Sequence, residues 1–392
     1  GMVCLLNEKP FAGINGSGKH NNWSLSTDSG ENLFKPGKKP AENKKFMTFF
    51  AAVVAAVDEY QDMLRVSVAS PSNDNRLGGN EAPPAIVSMF VGTDMEDVIA
   101  SYLSGKVCGE RVKAQSRVGG NIAYMKDDTD RNRTSPFAFT GNKFEFRMVG
   151  SDMSSAGANI VLNTIVAEEL DRISDEIEKR GAAETDEVIK DVFRKHSRII
   201  FNGNNYSEEW KAEAKRRGLT DAPTTVDAIA AYLNPKNVEV FEKHSVFTGK
   251  ELASRYEIMI DRYVKTLDIE ARTMLWMTER EIIPAAINYQ KTLAKTVNAK
   301  LAAGVSSKAE TAILKKTAKL TDDAYVKQEK LADYLSEAEK IADGYESAVF
   351  HKEKIKTQME DLRRTCDELE CNVSRKEWPF PTYVDILSSV KY

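Results

Sequence analysis

From about Lys250 to the end of the chain, apolar residues recur at helical spacing with hardly a break, and this run restricts the fold more than any other feature. Ile355, Met359, Leu362, Cys366, Leu369 and Val373 follow at alternating steps of four and three, as do Leu331, Leu335, Ala338, Ala342, Tyr345 and Val349. Such steps are heptad seams, stripes that must be buried against another helix. The two seams fall out of phase between residues 350 and 355, which predicts a turn between antiparallel helices or a break in one long helix. Pro284 should kink or interrupt the helix expected over 272–301, since proline lacks the N–H that helical bonding needs.

Before about residue 160 the chain has another character, with Gly, Pro and Asn separating short alternating segments. The contrast predicts an α+β protein: residues 1–160 forming antiparallel strands with helices, residues 161–392 forming a long-helix region. Val3 to Leu6 reads as a buried strand, Asn22 to Thr27 as a second, and Ala85 to Gly92 as a third. Lys44 to Arg65 has the spacing of a mostly buried helix, and Asn159 to Arg180 that of an amphipathic one. Phe137 to Gly150 alternates on both sides of Gly141-Asn142, the signature of a hairpin.

Lys plus Arg number 55 against 59 Asp plus Glu, so the net charge of -4 offers no electrostatic reason to expect nucleic acid or an anionic membrane as partner. The apolar run Phe49 to Val57 stops well short of the roughly 20 residues that span a bilayer. Nothing near residue 1 reads as a secretion signal. Cys4, Cys108, Cys366 and Cys371 lack paired spacing, which predicts reduced thiols in a cytoplasmic protein.

The stretch Gly13 to His20, "GINGSGKH", comes within one residue of a phosphate-binding loop, with Gly13, Gly18 and Lys19 in place and His20 where a hydroxyl belongs. That motif also needs a helix immediately after it, because the helix N-terminus holds the phosphates. Asn21 to Gly30 has strand and turn chemistry instead. Two readings remain: a Gly-rich hairpin, or a strand end where Asn15 and Gly16 let backbone approach a ligand and His20 binds a metal.

Two further stretches pose the same choice. In "NRLGGNEAPP", Arg76 and Glu81 flank a tight loop, either as a surface pair or as a carboxylate holder and a proton acceptor. In "KFEFR", Lys143, Glu145 and Arg147 alternate with Phe144 and Phe146, so the three charges share one strand face. That face is either solvated or built for a ligand; a carboxylate between two cations suits joint binding of metal and anion.

Together "NGSGKH", "RLGGNEAP" and "KFEFR", in this order, resemble the glutamine synthetase family. "EKPFAGINGSGKHNNWS" and "GANIVLNTIVAEEL" look most like its type III members. The resemblance implies the C-terminal part of a glutamine synthetase catalytic domain followed by a helical region. It implies that ATP phosphorylates the side-chain carboxylate of glutamate and that ammonia then displaces the phosphate. By the same resemblance His20 and Glu145 ligate Mg²⁺ or Mn²⁺, and Asn15, Gly16, Arg76 and Arg147 meet glutamate. Glu81 helps deprotonate ammonium, Arg133 contacts the transferring phosphate, and Ser24 and Lys143 lie at positions associated with ATP. A homo-oligomeric ring is implied for the full-length protein.

The chain also departs from the family pattern. Ala138 stands where bacterial type I enzymes carry a second arginine, and Asn22 where a second histidine is usual. Residues 92–130 form a longer insertion. The family's N-terminal β-grasp domain and further metal-binding glutamates have no counterpart here, which predicts a C-terminal portion of a longer synthetase, inactive by itself. A related ligase for another amine or acid, or a non-catalytic assembly protein on the same fold, are the competing expectations. Retention of His20, Glu81, Glu145 and Arg147 argues against the last of these.

Overall fold

The computed structural model describes residues 8–9, 13–79, 82–105, 115–117, 123–125 and 134–388. The strand expected over Val3 to Leu6, together with Glu81, Arg133, Cys4 and Cys108, lies outside the described residues. The chain divides by packing into a unit ending at Tyr256 and another comprising 257–392. The change of character near residue 160 is thus a change of element type, whereas the packing division comes nearly a hundred residues later.

In the first unit, strands β1 (Gly18–Trp23), β2 (Met89–Phe90), β5 (Phe137–Phe139) and β6 (Phe144–Gly150) form one sheet in the order β1-β6-β5-β2. The strands β3 (Gln115–Arg117) and β4 (Ala123–Met125) pair separately. β5 and β6 form the expected hairpin, with Gly141 in its turn at a φ of 91° that suits glycine. The sheet is mixed rather than antiparallel throughout, because β2 runs parallel to β5. Of the strand expected over 85–92, two residues pair, since β5 offers only a short edge.

Helix α1 (Lys44–Glu59) starts at Asn43, whose side chain accepts from the amide of Phe46 at 3.1 Å. It is buried from Phe50 through Asp58, so little of its surface remains for solvent. The long helix expected to reach Arg65 breaks at Tyr60 and resumes as α2 (Gln61–Val66). Phe50 meets Phe139 edge-on at 5.1 Å, and Phe144 meets Phe34 at 5.0 Å and Phe137 at 5.2 Å. This aromatic cluster welds the apolar face of the sheet to α1.

The short helix α3 (Pro71–Arg76) begins with a side-chain cap at Ser70 and a proline in its first turn. Further on come α4 (Thr93–Ser104), α5 (Ala156–Arg180), α6 (Thr185–His196), α7 (Glu208–Arg216), α8 (Thr225–Ala228) and α9 (Pro235–Lys243). Both α5 and α6 pack on α1.

Helix α10 (Gly249–Met277) crosses into the second unit and leads through a π turn at Thr278–Ile282 into α11 (Ile283–Ala302). Pro284 therefore does not interrupt the helix. The wider turn just before it, in which the Ile283 amide bonds Thr278 O, absorbs the donor that proline lacks. Helix α12 (Lys308–Ala338) ends in a reversal, and α13 (Gly344–Phe350), a π turn (His351–Ile355) and α14 (Lys356–Asn372) return along it. Leu331, Leu335, Ala338, Ile355, Met359, Leu362, Cys366, Leu369 and Val373 form one buried cluster, as their heptad spacing predicts. Ala342 and Tyr345 are exposed, because the reversal comes at 339–343; the phase slip at 350–355 is the π turn. A final short helix, α15 (Tyr383–Leu387), closes the described residues. No described helix is long and apolar enough to cross a membrane. Cys366 and Cys371 are free thiols, the first buried and the second exposed.

Candidate functional site

The site is built on β1 and β6, which pair in register from Trp23 opposite Phe144 to Asn21 opposite Phe146, and again from Lys19 opposite Val149. Between the two stretches one residue of β1, His20, faces two of β6, Arg147 and Met148. This β-bulge is the local irregularity by which sheets re-aim a side chain. His20 Nδ1 lies 3.1 Å from Glu145 Oε1, and Arg147 donates through Nε (3.0 Å) and Nη2 (2.9 Å) to Glu145 Oε2. Of the three, His20 has a half-exposed side chain, whereas Glu145 and Arg147 are buried.

Burial alone would raise the Glu145 carboxyl, but the hydrogen bonds and charge of Arg147, with His20 behind them, hold it below the ordinary value. Glu145 is therefore a carboxylate at neutral pH with one oxygen committed to Arg147 and the other turned toward His20. Around an octahedral ion with bonds of about 2.1 Å, adjacent donors stand roughly 3 Å apart. The His20–Glu145 pair has that spacing, with an imidazole open to solvent, so these two residues fit a shared Mg²⁺ or Mn²⁺.

The other expected residues fall around this pair. Ser24 is exposed at the hairpin end of β1, where its hydroxyl donates to Asn142 O at 3.2 Å beside half-buried Lys143. Asn15 is exposed and Gly16 half-buried in the loop leading to β1. A Cβ on Gly16 would come within 2.5 Å of Glu8 O, so the loop cannot carry a side chain there without shifting. Asn22 turns its amide back to His20 O at 3.1 Å. Ala138 is fully buried and paired across the sheet with Glu145, where an arginine would have no room without rearrangement.

Arg76 is buried, and its donors face protein oxygens. Nη1 reaches Asn73 Oδ1 (3.2 Å), Met148 O (3.3 Å) and Val149 O (3.3 Å), while Nη2 reaches Arg147 O at 3.0 Å. Burial lowers its pKa from the usual arginine value. Sequence reasoning missed Asn73, fully buried, whose amide bridges Val68 O (2.7 Å) and Met148 O (2.9 Å). It also missed Glu8, buried beside Gly150 and accepting from the Asp152 amide at 3.2 Å; burial raises its carboxyl. Asn73 carries no local signal beyond being polar near a motif, whereas Glu8 opens the "EKPFAGINGSGKHNNWS" stretch, in which no role falls to it from sequence. Behind the sheet, Asn159 and Asn163 of α5 hold Asn21 and the Trp23 indole at 2.9 Å each.

Glu168, Asp171 and His244 also lie close enough together to suggest a metal site. Glu168, however, is already met by Lys243 (2.7 Å), His244 (2.9 Å) and Arg172 (3.0 Å), a cationic surrounding that disfavours a further cation.

A family model for the glutamine synthetase C-terminal domain matches residues 184–301. The type-3 glutamine synthetase of Dictyostelium discoideum is 40% identical over 400 residues, covering 99% of this chain and 54% of that protein. A glutamine synthetase of Butyrivibrio fibrisolvens is 38% identical over 403 residues (99% of this chain, 56% of that protein). One from Bacteroides fragilis is 36% identical over 407 residues (98% and 55%). The chain spans about half the length of these curated relatives. With a bulged strand pair joining the "NGSGKH" and "KFEFR" motifs, and with similarity of this extent along nearly all of its residues, the chain belongs to the glutamine synthetase family.

Proposed function

We propose that this chain forms part of a glutamate–ammonia ligase, and that its β1–β6 bulge carries one metal-binding corner of the site. The observation that supports this reading best is the His20–Glu145–Arg147 chain, in which a buried arginine keeps a carboxylate ionised beside a solvent-facing imidazole. His20 and Glu145 would hold Mg²⁺ or Mn²⁺, which when bound supplies Lewis-acid stabilisation of phosphoryl oxygens.

In the reaction proposed, the γ-phosphoryl of ATP passes to the side-chain carboxylate of glutamate. Ammonia then attacks the acyl phosphate, phosphate leaves, and a proton goes to a base. Asn15, Gly16, Arg76 and Arg147 are the proposed neighbours of glutamate, with the two guanidinium groups, held by protein oxygens and by Glu145, supplying positive charge near its carboxylates. Ser24 and Lys143, adjacent at the hairpin end, are proposed on the nucleotide side. Arg133 is proposed to steady the transferring phosphoryl group, and Glu81 to take the ammonium proton. A ring-shaped homo-oligomer is the assembly proposed with this activity.

The test is phosphate release by the full-length protein that carries this chain, with Mg²⁺ or Mn²⁺, requiring ATP, glutamate and ammonium together. Loss of that release in Glu145→Ala is the expected result. Release independent of ammonium, or a Glu145→Ala variant as active as the parent, would overturn the reading.

A further inference from the structure

We infer that Arg76 is a positioning residue for the metal-binding corner, acting through the backbone of β6; the inference rests on the reading of His20 and Glu145 as metal ligands. The β5–β6 ladder ends with Phe137 opposite Phe146, and the β1–β6 ladder is broken by the bulge at Arg147 and Met148. The carbonyls of these two residues lie past the end of one ladder and inside the irregularity of the other. Buried carbonyls need donors. Arg76 supplies them, bonding Arg147 O, Met148 O and Val149 O, while Asn73 gives Met148 O a second donor. The planar guanidinium spans three successive carbonyls, which the single ammonium of lysine cannot match in geometry.

Gly18 leaves the space that this arrangement needs. A Cβ there would sit 2.1 Å from Arg76 Nη2 and 2.2 Å from Cζ. The strand carrying His20 thus lies directly on the guanidinium that fixes the strand carrying Glu145. Arg76 holds the bulge in shape, and the bulge sets the 3.1 Å spacing of His20 and Glu145.

The experiment is Mn²⁺ titration followed by electron paramagnetic resonance, with neither glutamate nor ATP present, on the parent protein and on Arg76→Lys, Gly18→Ala and Glu145→Ala. Amide exchange over 147–150 is measured in parallel. Arg76→Lys and Gly18→Ala are each expected to weaken Mn²⁺ binding at least tenfold, to speed exchange over 147–150 at least tenfold, and to leave exchange in α1 unchanged. An arginine that served only to hold glutamate would move neither quantity. Parent-like Mn²⁺ affinity in both variants, with Glu145→Ala impaired, overturns the inference and leaves the metal reading standing. Parent-like affinity in Glu145→Ala overturns the metal reading instead. Unchanged exchange over 147–150 in both variants overturns the role of Arg76 whatever the metal does, and a variant that fails to fold leaves the other to decide.

Discussion

Removing Arg65 should cost the first unit about 4 kcal/mol, the middle of the roughly 3–5 kcal/mol range for stripping one partner from a buried ion pair. Arg65 and Asp74 are each 1% exposed and meet at 3.1 Å. Arg65 also donates to Ala222 O (2.8 Å) and Pro223 O (3.2 Å), and Asp74 accepts from the Thr225 amide at 2.6 Å. The pair therefore ties α2 and α3 to the segment entering α8, and α3 is the helix that presents Asn73 and Arg76 to β6. Burial depresses the Arg65 guanidinium and raises the Asp74 carboxyl, each countered in part by the other's charge. In Arg65→Ala that counterweight is gone and Asp74 must stay buried as an unpaired charge or take a proton. A carboxyl raised above its unfolded value contributes stability that is present at low pH and lost as pH rises through the folded value, so the penalty should shrink in acid. The assay is amide exchange of α1, whose buried residues open only with the unit around them. At 1.4 kcal/mol per decade, protection should fall about a thousandfold. The double variant Arg65→Met/Asp74→Leu, which removes both charges, should recover most of it. A fall of less than tenfold in the single variant, or a double variant worse than the single, would refute the reasoning.

Two other expectations concern the sheet. Phe144→Ala deletes a fully buried ring that touches Phe34, Phe137 and Phe139, and should cost about 3–5 kcal/mol, seen as earlier unfolding in urea. Glu145 titrates below its ordinary value of 4.5, so its contribution to stability is present above that value and lost as pH falls through the lower folded one. Glu145→Gln should accordingly flatten the acid limb of a melting-temperature profile below about pH 4.5, and an unaltered limb would count against the Arg147 pairing.

What could be read from the sequence was whatever depends on neighbours along the chain. The buried seam between α12 and α14 follows from heptad spacing, and the β5–β6 hairpin from Gly141-Asn142 between alternating runs. β1 was expected over 22–27 and runs over Gly18–Trp23 instead. Alternation identifies a strand's faces, but its ends are set by the partner, and β6 pairs with Asn22 and Trp23 and then continues toward Gly18. The bulge was illegible for the same reason, since a one-residue register shift has no local mark. Resemblance makes Arg76 a carboxylate holder, and its bonds to the β6 carbonyls depend on where α3 is carried by residues far along the chain.

The charged face of β6 shows how this limit affects a functional reading. Alternation puts Lys143, Glu145 and Arg147 on one face, either solvated or made for a ligand. Glu145 and Arg147 are buried as deeply as the phenylalanines opposite require, so a solvated face is excluded for these two. Burying a lone carboxylate would drive it neutral, and burying a lone guanidinium would be costly; two hydrogen bonds between them let both be buried and ionised. The pairing leaves Glu145 Oε1 directed at the half-exposed His20. A carboxylate held in this way keeps one oxygen in a fixed direction, without the side-chain freedom that exposure would leave it. The alternation of "KFEFR" identifies the residues, and the buried Arg147 keeps Glu145 ionised with its other oxygen directed at His20.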